Sequence, residues 1–113
     1  MKKHCKISLT VYLAPEMIDL KKIVIPKIMN EWEYVGEALR YDPATIENIK
    51  EKGCGDAKKC CRELFKDWLL TSHGTKAGPK VWSTLLDTLK EVDEISADIT
   101  NDIFTKVKQL KCD

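Results

Sequence analysis

The sequence predicts an all-α domain, a compact antiparallel bundle of six short helices whose first member is kinked or split. Three observations carry this expectation. Apolar residues recur at three- and four-residue spacing from Pro15 onward. Capping and helix-breaking residues cut that pattern into segments of helical length. Short turns join the segments, which makes consecutive helices near neighbours of opposite direction. The 113 residues suit one domain, and a 43% hydrophobic content is enough to build a core instead of a disordered chain.

The predicted domain spans residues 15–111, and residues 1–14 form an extended arm or linker. Residues 7–13 alternate apolar and polar, which is strand spacing, but one isolated strand has no pairing partner. The basic start followed by apolar residues faintly matches a signal peptide. That reading is rejected, because Ser8, Thr10 and Tyr12 break the run and no small-residue cleavage pattern follows. No stretch approaches 18 apolar residues, so membrane insertion is not expected.

The first helix, residues 16–29, carries Ile18, Leu20, Val24 and Ile28 as its apolar positions. Pro26 lies inside it, and a proline there removes a backbone donor and clashes with the preceding turn, hence the kink. Asn30 is the expected cap of the second helix, with Glu33 returning the bond, and Trp32, Val35 and Leu39 share its inner face. Asp42 followed by Pro43 opens the third helix, where Ile46 and Ile49 face inward and Gly53 and Gly55 end the run. Asp56 caps the fourth helix, whose apolar arc holds Cys60, Cys61, Leu64, Phe65 and Trp68. Gly74 and Gly78 bracket a polar loop. Pro79 is the expected start of the fifth helix, with Val81, Trp82, Leu85, Leu86, Leu89 and Val92 turned inward. The sixth covers residues 95–110 and places Ile99, Ile103, Val107 and Leu110 on its inner stripe.

The residues assemble no catalytic constellation. Cys60 or Cys61 with His73 would be a nucleophile and its base, but the two thiols sit on the apolar arc, where a cysteine acts as a small hydrophobe. There is no glycine-rich phosphate loop. Five cysteines, an odd number with two adjacent, do not suit a disulfide scaffold. No CxxC occurs and neither His4 nor His73 stands in zinc-ligand rhythm with a cysteine pair. The expectation is a protein without catalytic residues, cofactor or metal, its thiols reduced in the cytoplasm. Trp32, Trp68 and Trp82 read as core anchors of three different helices, with a ligand cage as the alternative.

Charge is the more informative pattern. Nineteen basic and eighteen acidic residues leave a net charge of +1, which disfavours a uniformly basic nucleic-acid binder. The cancellation is local, however. On the fourth helix Lys59, Arg62 and Lys66 form a stripe opposite the apolar arc, flanked by Lys58, and residues 57–66 net +3. The first helix adds Lys21, Lys22 and Lys27. Residues 31–49 hold Glu31, Glu33, Glu37, Asp42 and Glu47 against Arg40 alone, a net of −4. The candidate basic surface is therefore Lys21, Lys22, Lys58, Lys59, Arg62 and Lys66. The candidate acidic surface is Glu33, Glu37, Asp42 and Glu47. The plain alternative is an ordinary solvated exterior. If the two surfaces lie on different sides of one globule, their pairing between copies is heterologous and builds rings or open helices.

Four blocks of residues carry a family pattern: Trp32-x-x-Val35-Gly36-x-x-Leu39, then Ile46-x-x-Ile49, then Cys60-Cys61-x-x-Leu64-x-x-x-Trp68-Leu69, then Trp82-x-x-Leu85-Leu86-x-x-Leu89. In order and spacing they resemble the death domain, a member of the six-helix death-fold superfamily with Greek-key topology, over about residues 16–110. Pro26, the glycine-rich loop from His73 to Pro79 and the arm depart from that pattern. The resemblance implies a non-enzymatic module that binds other death domains, itself or a related protein, in apoptotic or innate immune signalling. It also implies helical oligomers in which helices one and four of one subunit meet helices two and three of the next. Two other readings compete. One is a small helical nucleic-acid-binding domain that lays the basic stripe of helix four on phosphates, which the acidic segment opposes. The other is a metal or redox enzyme using the cysteines. The arm and the end at Cys112-Asp113 suggest a domain cut from a receptor, kinase or adaptor.

Overall fold

The structure is a computed structural model that describes residues 11–110, and the regular elements within them are all helical. Five α-helices of seven or more residues are Trp32–Ala38, Pro43–Lys52, Ala57–Leu70, Trp82–Glu91 and Ala97–Gln109. Before them runs an interrupted helical segment: α-helical at Met17–Asp19, a π-helical turn at Leu20–Val24, and α-helical again at Ile25–Ile28. The radius of gyration is 14.0 Å, close to the ~13 Å of a folded 100-residue domain.

The interruption has a cause in the sequence. An α-helix through Pro26 would press its ring against the carbonyl four residues back. The wider π turn just before it takes up an extra residue, and the Ile25 N–H bonds back to the Leu20 carbonyl. The expected kink at Pro26 therefore takes the form of a π turn. Leu20, Ile23, Val24, Ile25 and Ile28 are buried. Ile18, expected on the apolar face, is 59% exposed. Ile18 and Leu20 are two residues apart, about 200° around a helix, so only one of them can face the core.

Caps explain most of the other boundaries. The Asp42 carboxylate accepts from the Thr45 N–H at 2.7 Å, with Pro43 in the first turn. Asp56 accepts from the N–H groups of Lys58 at 2.9 Å and Lys59 at 3.2 Å. Ser96 accepts from the Ile99 N–H at 3.3 Å. Two expectations are corrected here. Asn30 makes no cap, because a 3-10 turn at Met29–Glu31 feeds directly into the Trp32–Ala38 helix. The fifth predicted helix begins at Trp82, three residues after Pro79, with Val81 at its N-cap and no side-chain cap.

That uncapped end is satisfied by the arm. The Trp82 N–H donates to the Leu13 carbonyl at 2.9 Å, and the Ser83 N–H donates to the Val11 carbonyl at 2.7 Å. These are among the first N–H groups of a helix, which have no intrahelical partner. Val11 also packs against the core. Of the strand-like stretch 7–13, residues 7–10 lie outside the described residues, and 11–13 form turn and bend instead of strand.

Most of the residues expected on the inner faces are buried, Val81 only partly so. Trp32, Trp68 and Trp82 are all buried, as are Val35, Leu39, Ile46, Ile49, Leu64, Leu85, Leu86 and Leu89. Phe65 meets Trp68 edge to face with ring centroids 6.3 Å apart, the geometry that aromatic quadrupoles favour. On the last helix Ile103 and Val107 are buried, while Ile99 and Leu110 are only partly so and Thr100 takes a buried place. Among the described residues no helix is long and apolar enough to cross a membrane.

Candidate interaction surfaces

The Ala57–Leu70 helix organises the basic surface. Its inner arc fixes Cys60, Cys61, Leu64, Phe65 and Trp68 in the core, so helical periodicity sends Lys59 and Lys66 outward. Lys58, Lys59 and Lys66 are exposed and Arg62 is partly buried. The N-terminal segment packs along one flank of this helix, and together they enclose a groove of about 430 Å³. Met17, Leu69 and Leu70 give the groove its apolar lining, with Leu70 at the edge. Lys21, Arg62 and Lys66 give it a cationic rim that includes one carboxylate, Glu63. Lys21 and Arg62, 41 positions apart in sequence, thus reach one concave site. Lys22 is exposed on the same segment. Lys27 is drawn away: its ammonium pairs with Asp102 at 3.0 Å on the last helix, and Lys106 approaches the same carboxylate at 3.2 Å.

The Pro43–Lys52 helix packs on the other flank, where Ile49, Lys52, Asp67 and Thr71 join Glu63, Lys66 and Leu70 around a second, smaller hollow. Glu63, Lys66 and Leu70 are shared by the two hollows and form the ridge between them. Leu70 is 73% exposed.

The acidic residues occupy the two helices before this one. Glu33 and Glu37 are exposed on Trp32–Ala38, Glu47 is exposed on Pro43–Lys52, and Asp42 is exposed at the N-cap between them. The surface is less uniform than its sequence count. Lys50 stands 3.9 Å from Glu33 with both side chains about half exposed, so it offsets part of that charge. Asp42 has a structural duty, and the backbone hydrogen bond from Thr45 holds its carboxyl below the usual carboxylate range. Its pocket is also lined by Arg40, His73 and Lys76, which places positive charge beside it. Glu37 and Glu47 are the acids of the set that stand most clearly available to a partner.

A polar cluster at the end of the Ala57–Leu70 helix escaped the sequence reading. Asp67 Oδ2 accepts from Tyr41 Oη at 2.7 Å, from Thr71 Oγ1 at 3.2 Å, and faces His73 Nδ1 at 2.9 Å. Burial raises the Asp67 carboxyl, but the hydrogen bonds from Tyr41 and His73 outweigh it and hold the group below its ordinary range. Burial, with the Asp67 bond and charge adding to it, pushes the Tyr41 phenol far up. Lys80 then closes the helix, its ammonium donating to the carbonyls of Trp68, Thr71 and His73. The Trp68 carbonyl is one of the last four of the helix, which have no intrahelical partner, and a cation there also meets the negative end of the helix dipole. The spacing between Tyr41, Asp67 and His73 follows no sequence periodicity, which is why only the fold reveals it.

Cys60 and Cys61 behave as core atoms, while Cys54 is exposed. Cys60 and Cys61 are buried, and burial lifts the Cys61 thiol to about 12 and the Cys60 thiol above its usual value. His73 stands with Asp67 and not with either of them. Among the described residues no group of three or more His, Cys, Asp or Glu is placed to hold a metal ion. Compared with known proteins, the chain matches no family model, no curated protein and no solved structure.

Proposed function

We propose that this chain is a death-domain-type module, a non-enzymatic protein-protein interaction domain that associates with copies of itself or with a related domain. In this reading the interrupted segment counts as the first helix of a six-helix death fold, and the protein acts in the cytoplasm, in apoptotic or innate immune signalling. One observation supports it above the others. Lys21 from the N-terminal segment and Arg62 and Lys66 from the Ala57–Leu70 helix line one groove, while exposed Glu37 and Glu47 stand on the two intervening helices. These are the two helix pairs that the sequence resemblance assigns to opposite sides of one contact. Opposite potentials on two patches of one molecule favour head-to-tail association, which closes into a ring or continues as a helix.

The test is simultaneous charge reversal, K59E/R62E/K66E, followed by light scattering across a concentration series. All three residues lie outside the inner arc, so the variant is expected to keep the far-UV spectrum of the parent. The proposal expects assembly to be lost. Assembly equal to that of the parent in a folded variant removes the basic stripe from the mechanism and with it this reading of the surfaces.

A further inference from the structure

We propose that Tyr34 of one copy is the anchor of the contact and seats in the groove of a second copy between Met17, Lys21, Arg62, Lys66, Leu69 and Leu70; this rests on the self-association reading above. Tyr34 is one of five large hydrophobic side chains exposed among the described residues, at 47%. It projects from the outer face of the Trp32–Ala38 helix, opposite buried Trp32, Val35 and Gly36. Glu37, three residues on, shares that outer face, and Glu31 and Glu33 flank it. The acidic surface therefore carries an aromatic knob ringed by carboxylates.

The groove is its complement in each respect. It is concave, and its volume of about 430 Å³ lies in the range of sites that enclose a small group. Part of its lining is apolar, from Met17, Leu69 and, at the edge, Leu70, which suits the ring. Its rim carries Lys21, Arg62 and Lys66, which suit the carboxylates around the ring. Glu63, the one acid on that rim, is the feature a purely acidic partner would not want. A phenol does want it, because its O–H donates and a carboxylate accepts. The molecule already makes that bond elsewhere, from Tyr41 to Asp67 at 2.7 Å. Exposed aromatic anchors that fill a pocket and are ringed by polar contacts carry a large share of interface energy. The knob and the groove are different patches of one chain, so the contact is head to tail and leaves a free knob at one end and a free groove at the other.

The experiment measures self-association of the full chain by sedimentation equilibrium in low salt. Tyr34→Ala is expected to weaken association at least about 30-fold, the loss typical of a removed anchor. Tyr34→Phe keeps the ring and loses one hydrogen bond, so it is expected to weaken it by no more than about tenfold. Leu70→Asp spoils the groove at a 73% exposed position. Each of the two variants Tyr34→Ala and Leu70→Asp alone lacks half of the contact and is expected to stay monomeric at concentrations where the parent assembles. Mixed, the intact knob of one and the intact groove of the other are expected to give a 1:1 dimer and nothing larger. Parental association of Tyr34→Ala, while K59E/R62E/K66E is monomeric, overturns the anchor and leaves the charged surfaces standing. Parental association of both variants overturns the knob and the groove, and a parent chain that stays monomeric at millimolar concentration overturns self-association and this contact with it. A mixture that fails to pair overturns the seating of Tyr34 in this groove.

Discussion

Replacing Gly53 by alanine sets two effects of opposite sign against each other, and the structure decides between them. Gly53 ends the Pro43–Lys52 helix at φ −82°, an ordinary right-handed value that alanine adopts without strain. Conformational entropy alone therefore predicts a gain of about 0.4–1 kcal/mol, because alanine restricts the unfolded chain. Space predicts the reverse. A Cβ at Gly53 would collide with Cys60 Sγ and would stand 2.9 Å from the Cys60 backbone nitrogen and 3.0 Å from its Cα. The sulfur could rotate, but the backbone of a capped helix that carries five buried residues cannot easily withdraw. Overpacking of this kind costs about 1–3 kcal/mol, so against that gain the net expectation is destabilisation by up to about 2.6 kcal/mol. At about 4 °C per kcal/mol for a domain of this size, the midpoint falls by up to about 10 °C. Gly55, two residues later, is the control. It has nothing within 4 Å of an added Cβ but sits at φ +79°. Alanine there is disfavoured for its backbone alone, by about 1–2 kcal/mol. Adding Cys60→Ala to Gly53→Ala removes the sulfur contact and leaves both backbone contacts, so rescue relative to Cys60→Ala alone should be partial. Thermal unfolding followed by circular dichroism compares the four variants with the parent. A Gly53→Ala variant more stable than the parent refutes the close approach of the two helices.

Three more predictions concern the polar groups and the arm. Deleting residues 1–13 leaves the Trp82 and Ser83 N–H groups without their carbonyl acceptors and should cost about 1–3 kcal/mol in urea unfolding; an unchanged midpoint would show that the arm does not cap this helix. Burial raises the Cys61 thiol from 9.0 to about 12, so its contribution is intact below pH 9 and is lost as the pH climbs toward 12. Between pH 8 and 11 the parent should lose about 3 kcal/mol more stability than Cys61→Ala, and parallel pH profiles for the two would contradict this. The Asp67 carboxyl is held below its ordinary 3.8, so its contribution is present above that pH and lost as the pH falls through the lowered value. Asp67→Asn should therefore flatten the acid limb of the stability profile, measured by fluorescence-monitored unfolding from pH 5 to pH 2; an acid limb as steep as the parent's speaks against the cluster.

Periodicity and capping chemistry are local, and what they encode was legible. Asp42, Asp56 and the apolar arc of Ala57–Leu70 can be read from a few consecutive residues, and each is found in place. What was not legible depends on partners distant in the chain. Asn30 has the right side chain for a cap, but the 3-10 turn at Met29–Glu31 leaves the helix no free start to cap. Trp82 needed an acceptor, and it came from Leu13, far away in sequence. The charged stripe on the fourth predicted helix was visible as sequence. That it closes a groove with Met17 and Lys21 was not, nor that Lys50 and Lys27 are engaged by Glu33 and Asp102. The same limit hid Asp67, which looks like any surface acid until Tyr41, Thr71 and His73 converge on it.

On the proposed reading, two oppositely charged surfaces of this chain hold its copies together. The most direct measurement is weight-average mass in solution, followed over protein concentration at low salt and again at about 1 M salt, where the screening length falls to about 3 Å. Mass should rise with concentration at low salt without stopping at a dimer, and collapse toward the 12.9 kDa monomer at high salt. A monomer at every concentration and salt, or an assembly indifferent to salt, contradicts it.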